Sequence, residues 1–339
     1  ENEQKEIETP TAIREEICFD FLRNEMITPK GGMRTNYLDK PHKSQFATGA
    51  EVLSESMGLL MLYGAAASDE ALCKSSLGFI EEYLVTGTTI GYRYSDKAGA
   101  YQVNAFVDDV RIIRGLILAD QAFEGDYLDI ALAYGDRLYE TNVKDKYAYD
   151  MYDDQYGCTN DFITLCYIDL YTMLLLGEYD ERWTDVFEVM SGIAKGGYIS
   201  DEFPLYASSY SYASMRYSEG DINMIEAALT ALNLARIDDC PQRTIDYLKD
   251  SIQAGGIYGA YGRDGKKKSD MESTAIYAIC ALIAAEVEDE EMYSLCIDKM
   301  NRFQVLDNTS EVYGAFADPV SLDLYSFDNL MALLAYRQR

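Results

Sequence analysis

Apolar residues recur along the chain at the 3.6-residue period of an α-helix, in segments beginning near residues 11, 50, 69, 107, 125, 160, 178, 220, 240, 270, 288 and 322. The segments alternate in character. One set, including "SDEALCKSSLGFIEEYLV", "FEGDYLDIALAYGDRLYE" and "DEEMYSLCIDKMNRF", carries charge on one face, as a surface helix does. The other is apolar beyond its first turn: "GAEVLSESMGLLMLYGAAA", "VDDVRIIRGLILADQAF", "NDFITLCYIDLYTMLLL", "DINMIEAALTALNLA", "MESTAIYAICALIAA" and "LYSFDNLMALLAY". Helices apolar all round belong inside. Links as short as "SD", "EG" and "GE" join each inner segment to the outer one after it, which describes six helical hairpins. The pattern predicts an all-α fold, with residues 1–339 forming a single (α/α)6-barrel catalytic domain. An open α-solenoid of the same hairpins is the alternative. In the barrel the inner helices run parallel, so their N-termini open together at one end.

Carboxylates recur with the repeat. Glu55, Asp109, Asp161, Asp221, Glu272 and Asp323 stand near the heads of the six inner segments. Helix dipoles favour negative charge there, so each has a structural reason as a capping or dipole residue, and Asp161 and Asp323 fit that role best. A barrel would nevertheless gather these groups around one mouth, where burial and like charge separate their pKa values. The connections before the inner segments, "GYRYSDKAGAYQ", "GGYISDEFPLYASSYSYA", "GIYGAYGRDG" and "EVYGAFADP", are rich in Tyr and Gly. Packing over the rim accounts for most of these rings. A phenol also suits stacking on a sugar face while hydrogen-bonding its hydroxyls. Tyr94, Tyr101, Tyr210, Tyr212, Arg216 and Tyr258 are the candidate substrate-binding side chains.

Composition narrows the chemistry. A chain of 339 residues that is 48% hydrophobic can bury a large core. Its 58 acidic against 29 basic residues give a formal charge of −29, which repels nucleic acid and anionic membranes. The basic run "RDGKKKSD" reads as a solvated loop, and no apolar run approaches the roughly 20 residues that span a bilayer. The seven cysteines are odd in number and lack a CxxC; Cys18, Cys73, Cys166, Cys280 and Cys296 fall in helical patterns and read as buried free thiols. The sole histidine, His42, lies in the loop "DKPHKSQ", which leaves no cluster for a metal and no base for a Ser-His-Asp triad. Glycoside hydrolysis needs two carboxyl groups and no metal or other cofactor.

Three stretches resemble glycoside hydrolase family 8, the first two carrying most of the likeness. "LSESMGLLM" resembles that family's Ser-Glu-Gly segment, which implies a proton donor at Glu55, with Ser56 where Gly is usual. Desolvation against Met57 and Leu59 would keep that donor protonated near neutral pH. "AFVDDVRIIRGLILADQAF" resembles the family signature, with Asp109, Ile112, Leu116, Ala119 and Phe123 in register. Val107 stands where the signature has its first, active-site Asp. Either Asp108 takes over from the next position, or the site is remodelled. "YSEGDINMIEAALTAL" resembles the Tyr-Asp-Ala-Ile-Arg helix and implies a catalytic base at Asp221; the other register, on "YASMR", puts Ala213 there. The resemblance implies a monomeric, inverting, endo-acting hydrolase of a bacterial exopolysaccharide or β-glucan-like polymer. It also implies secretion or cell-surface association, with any signal preceding residue 1. An unsaturated-uronyl or other exo-acting hydrolase, and a non-catalytic glycan-binding relative, are the alternatives.

Overall fold

The computed structural model describes residues 9–39, 49 and 51–338, so His42 lies outside the described residues. The described residues contain helices α1 (Thr11–Phe21), α2 (Ser54–Ala66), α3 (Glu70–Phe79), α4 (Phe106–Ala122), α5 (Tyr127–Asn142) and α6 (Leu170–Gly177). They continue with α7 (Glu181–Gly196), α8 (Met224–Ala235), α9 (Gln242–Gln253), α10 (Thr274–Glu286), α11 (Glu290–Asn301) and α12 (Ser326–Tyr336). The even-numbered helices form the inner ring, in which α2 packs on α4, α8 on α10, α10 on α12, and α12 back on α2. A 3-10 turn at Leu165–Tyr167 completes the circle between α4 and α8. The outer partner of α12 is α1, so the two ends of the chain make the sixth hairpin. The molecule is an (α/α)6 barrel, and closure of α12 on α2 excludes the open solenoid.

Short links turn each inner helix outward by a local rule. After α2 and α10 a single residue enters the left-handed region, Ser68 at φ 56° and Glu288 at φ 57°, which ends the helix. An aspartate then caps the outer helix: Asp69 accepts from the Leu72 amide and Asp289 from the Met292 amide. Asp180 caps α7 in the same way. Most inner helices bury their side chains past the first turn, as in α10, where Ile276, Tyr277, Ile279, Cys280 and Ile283 have no exposed surface, whereas the short α6 leaves Leu174 exposed. Each large apolar side chain so buried contributes roughly 1.5–3 kcal/mol.

Long connections cover the other end, where the inner helices begin. They form two- and three-stranded antiparallel ribbons, including Val52–Leu53 with Arg93–Ser95, Phe162–Thr164 with Ser209–Ser211, and Ile222–Asn223 with Ala260–Tyr261. These ribbons move the predicted helix starts. Residues 162–164 are extended and paired, with Ile163 opposite Tyr210, so the third inner helix begins only at Leu170, capped by Asp169. Likewise α8, α10 and α12 start a few residues after the predicted heads, which leaves Asp161, Asp221, Glu272 and Asp323 exposed in the connections. Of the seven cysteines, all free, Cys18, Cys73, Cys166, Cys280 and Cys296 are buried. The described residues contain no helix long and apolar enough to cross a membrane.

The most extensive contact in the inner ring is between α2 and α4. A Cβ placed on Gly58 would lie 3.1 Å from the Arg111 Cβ and 3.3 Å from the Ile112 Cγ1, so the absence of a side chain at 58 sets how closely the two helices approach. Gly58→Val should therefore overpack this crossing and lower the unfolding free energy by about 1–3 kcal/mol, read by chemical denaturation.

Candidate active site

The heads of α2, α4, α8 and α12, with the 165–167 turn, surround a cavity of about 500 Å³ at the mouth of the barrel. Successive residues of a helix point about 100° apart, and the first turn of α2 uses this fully. The Ser54 hydroxyl donates to Asp108 Oδ2 at 2.7 Å, toward α4. Ser56 shares a 2.7 Å hydrogen bond with Ser326, toward α12. Glu55, between them, faces the cavity. Ser54 is thus not a cap: α2 begins from Leu53 with no side-chain cap, and Ser54 spends its hydroxyl on the neighbouring helix. Ser56, where the family 8 motif has Gly, ties α2 to α12.

Four acids line the cavity: Glu55, Asp108, Glu226 and Asp328. Burial raises Glu55 to about 7; Arg111 opposes the rise, while Asp108 and Asp328 add to it. Asp108 is also pushed up by burial, against the pull of Arg111 and Ser54. Burial raises Glu226, which has a hydrogen bond with Ser208, and Asp328, which accepts the Ala275 amide at 2.9 Å. Arg111 is the one cation in the lining among the described residues, with Nη1 3.2 Å from Asp108 Oδ1 and 3.5 Å from Glu55 Oε2. Tyr92, Tyr167, Tyr325 and Phe327 supply aromatic walls. Several carboxyl groups raised by burial around one cavity, with a cation between two of them, are suited to acid and base catalysis.

The structure separates the candidate residues read from the sequence. Glu55 and Asp108 line the cavity, and so does Val107. Asp109 does not: one residue further round α4, it points outward to Thr88, Tyr134, Arg137 and Thr141 of another small cavity. There Asn104 donates to its Oδ2 at 2.8 Å, its Oδ1 has no hydrogen-bond partner, and burial raises it well above the usual carboxylate range. Asp221 is also outside the cavity lining, because it precedes the 222–223 strand and lies beside the Gly262 turn. The acid that α8 sends into the cavity is Glu226, five residues on.

The sugar-binding candidates occupy the rim rather than the cavity lining. Tyr94 packs edge-on against Phe79 with Lys30 above it, and Tyr210 and Tyr212 pack on each other and on Tyr217 and Tyr149. Arg216 is exposed on a hairpin. Tyr258 carries Lys267 at 4.1 Å over its ring. Tyr101 packs on the lining, its ring 5.5 Å from that of Tyr92. Glu226 was nonetheless visible in principle: Asn223 followed by Glu226 before an apolar run is a helix-start signature, and Asn223 does accept from the amides of Ile225 and Glu226. Asp328 and Arg111 had no such local signal.

The sequence matches no protein-family model and no curated protein, but the fold has well-defined relatives. The endoglucanase Cel10 from Klebsiella pneumoniae, a family 8 glycosyl hydrolase, superposes with a TM-score of 0.63 at 14% identity, covering 84% of this chain and 96% of that one. PssZ from Listeria monocytogenes superposes with a TM-score of 0.75 at 18% identity, covering 98% and 96%. A novel alpha-amylase from Clostridium perfringens gives a TM-score of 0.90 at 30% identity, covering 96% of this chain and 97% of that one. The barrel with its acidic mouth is that of a glycoside hydrolase. The chain belongs to the same family as the clostridial enzyme, a divergent, family 8-like branch of these hydrolases.

The two adjacent aspartates of α4 make a direct test. Asp108→Asn should lower turnover at least about tenfold, because it removes a charge that faces the reacting groups. Asp109→Asn should keep turnover near the wild-type value, since Asp109 faces away from the cavity and its replacement leaves the lining unchanged. Initial rates of reducing-end release, with circular dichroism to verify folding, check both.

Proposed function

We propose that this protein is an endo-acting glycoside hydrolase that inverts at the cleaved carbon, with Glu55 as proton donor and Glu226 as general base. The observation that carries the reading is a carboxyl group raised to about 7 at the head of an inner helix, facing a cavity lined by three further acids. A donor must hold its proton until the leaving oxygen takes it, and burial of Glu55 supplies this. In a ring of six inner helices α8 is opposite α2, so Glu226 reaches the cavity from the far side. That arrangement supports a water between base and sugar, which an inverting enzyme needs. Asp108, held by Ser54 and Arg111 beside Glu55, is suited to stabilising positive charge on the distorted sugar.

The substrate in this reading is a neutral polysaccharide, because four acids in the lining and a net charge of −29 disfavour an anionic one. A bacterial exopolysaccharide or β-glucan-like polymer outside the cell fits it, and the name of the clostridial relative adds an α-glucan to the panel. Soluble starch, mixed-linkage β-glucan and purified exopolysaccharides should be assayed for oligosaccharide ladders, and NMR of the first product should show the anomer opposite to the bond cleaved. Glu55→Gln and Glu226→Gln should each reduce turnover by at least about a hundredfold while polymer binding persists. Near-normal turnover in a folded Glu55→Gln would sink the assignment. Binding without new reducing ends in the wild type would make the protein a glycan-binding relative.

A further inference from the structure

Arg111 lies at the junction of two cavities. Above it is the mouth; below it, along the barrel axis, is a space of about 30 Å³ shared with Arg114, Asp169, Asn233 and Arg236. Its side chain is only 8% exposed, and a guanidinium does not give up its proton in a protein. Arg114, one turn on, is matched by Asp169 at 2.7 Å. Arg111 instead serves two carboxyl groups from two helices, unequally. Asp108 is nearer at 3.2 Å, on the same face one turn back, and also receives the Ser54 hydroxyl and the Glu55 amide. Glu55 has the longer contact, 3.5 Å.

We propose that Arg111 is a positioning residue: its single buried guanidinium fixes Glu55 and Asp108 relative to each other and decides that the proton resides on Glu55 while Asp108 stays ionised. Three donors converge on Asp108 and one, at longer range, on Glu55, so the anion is better solvated by the protein at Asp108. The groups lining the cavity that Glu55 faces are Asp108 and Arg111 from α4, Cys166 and Tyr167 from the 165–167 turn, Glu226 from α8 and Asp328 from α12. Tyr92 and Tyr325 line it as well. Arg111 is the only one of these that favours ionisation, so no neighbour can replace it.

The inference rests on Glu55 as donor for its effect on rate, though not for its effect on titration. Removing the cation disfavours both carboxylates, so Glu55 should lose its proton at higher pH. Carbon NMR of the carboxyl groups, with Glu55 assigned by the signal missing in Glu55→Gln, reads this without substrate. In Arg111→Gln the Glu55 midpoint should rise by about one pH unit or more. The alkaline limb of reducing-end release from soluble starch or mixed-linkage β-glucan should follow it upward while the plateau falls. Arg111→Lys should restore the limb but not the plateau, since an ammonium cannot fork between two carboxylates. An unchanged Glu55 midpoint in folded Arg111→Gln overturns the inference. A midpoint that moves while the rate profile does not would leave Arg111 in this role and remove Glu55 as donor. Should Arg111→Gln not fold, Arg111→Met, which keeps much of the side-chain length without the charge, is read in the same way, and an unchanged Glu55 midpoint there overturns the inference equally.

Discussion

Everything at the mouth depends on how closely α2 and α4 cross. The missing side chain at Gly58 lets the backbone of α2 lie against the Cβ of Arg111 and the side chain of Ile112, and this proximity brings the first turns of both helices into hydrogen-bonding range. The Ser54–Asp108 bond, the Arg111 contacts to Asp108 and Glu55, and the seat of Glu55 over the axis all follow. Gly115 continues the same seam one turn lower, where a Cβ would lie 2.9 Å from the Met61 side chain. From above, the Arg93–Ser95 strand pairs with residues 52–53, and the Ser54 amide donates to the Tyr92 carbonyl at 3.0 Å. The head of α2 is therefore clamped between a ribbon and two helices.

Parallel helices create a conflict that the site exploits. Their N-terminal dipoles attract carboxylates, yet gathering the carboxylates in a partly buried mouth makes each resist ionisation. The two effects meet in Glu55, Asp108, Glu226 and Asp328, all raised by burial, with one cation among them. Asp150, bonded to both the amide and the hydroxyl of Thr164 and raised by burial to about 6, extends the acidic shell behind the ribbon. Away from the mouth the inner helices carry ion pairs set among leucines, Arg114 with Asp169 and Arg236 with Glu286. Proton chemistry is thus confined to one end of the barrel.

The tyrosine-rich connections have a mainly mechanical role. Tyr83, Tyr94 and Phe79 pack together with Lys30 over two of the rings, and Tyr147, Tyr149, Tyr210, Tyr212 and Tyr217 form a second cluster under the 209–217 ribbon. Such rings stiffen short strands that have little core of their own. The aromatic walls of the cavity come instead from Tyr167, Tyr325 and Phe327 beside the starts of inner helices and from Tyr92, whose carbonyl receives the Ser54 amide at the head of α2.

The alternation of amphipathic and apolar segments was enough, without any structure, to determine hairpins and their number, while their closure into a barrel rather than an open solenoid was settled by the packing of α12 on α2. That pattern is local: a helix with no polar face has only one place to go. Glu55 was legible for the same reason, since it is one carboxylate in the first turn of an apolar helix. What the tertiary structure alone decided was which of the other acids reach the axis. Asp221 and Asp323 stand at the predicted heads, but ribbon pairing delays α8 and α12, so that Glu226 and Asp328 take the first-turn positions that face inward. Asp108 and Asp109 are neighbours in sequence and 100° apart on the helix, and only the packing of α4 against α2 on one side and α5 on the other determines that the first faces the cavity and the second the wall. Arg111 gave no sign of its place, because a cation in a helix acquires its partners from the helices beside it.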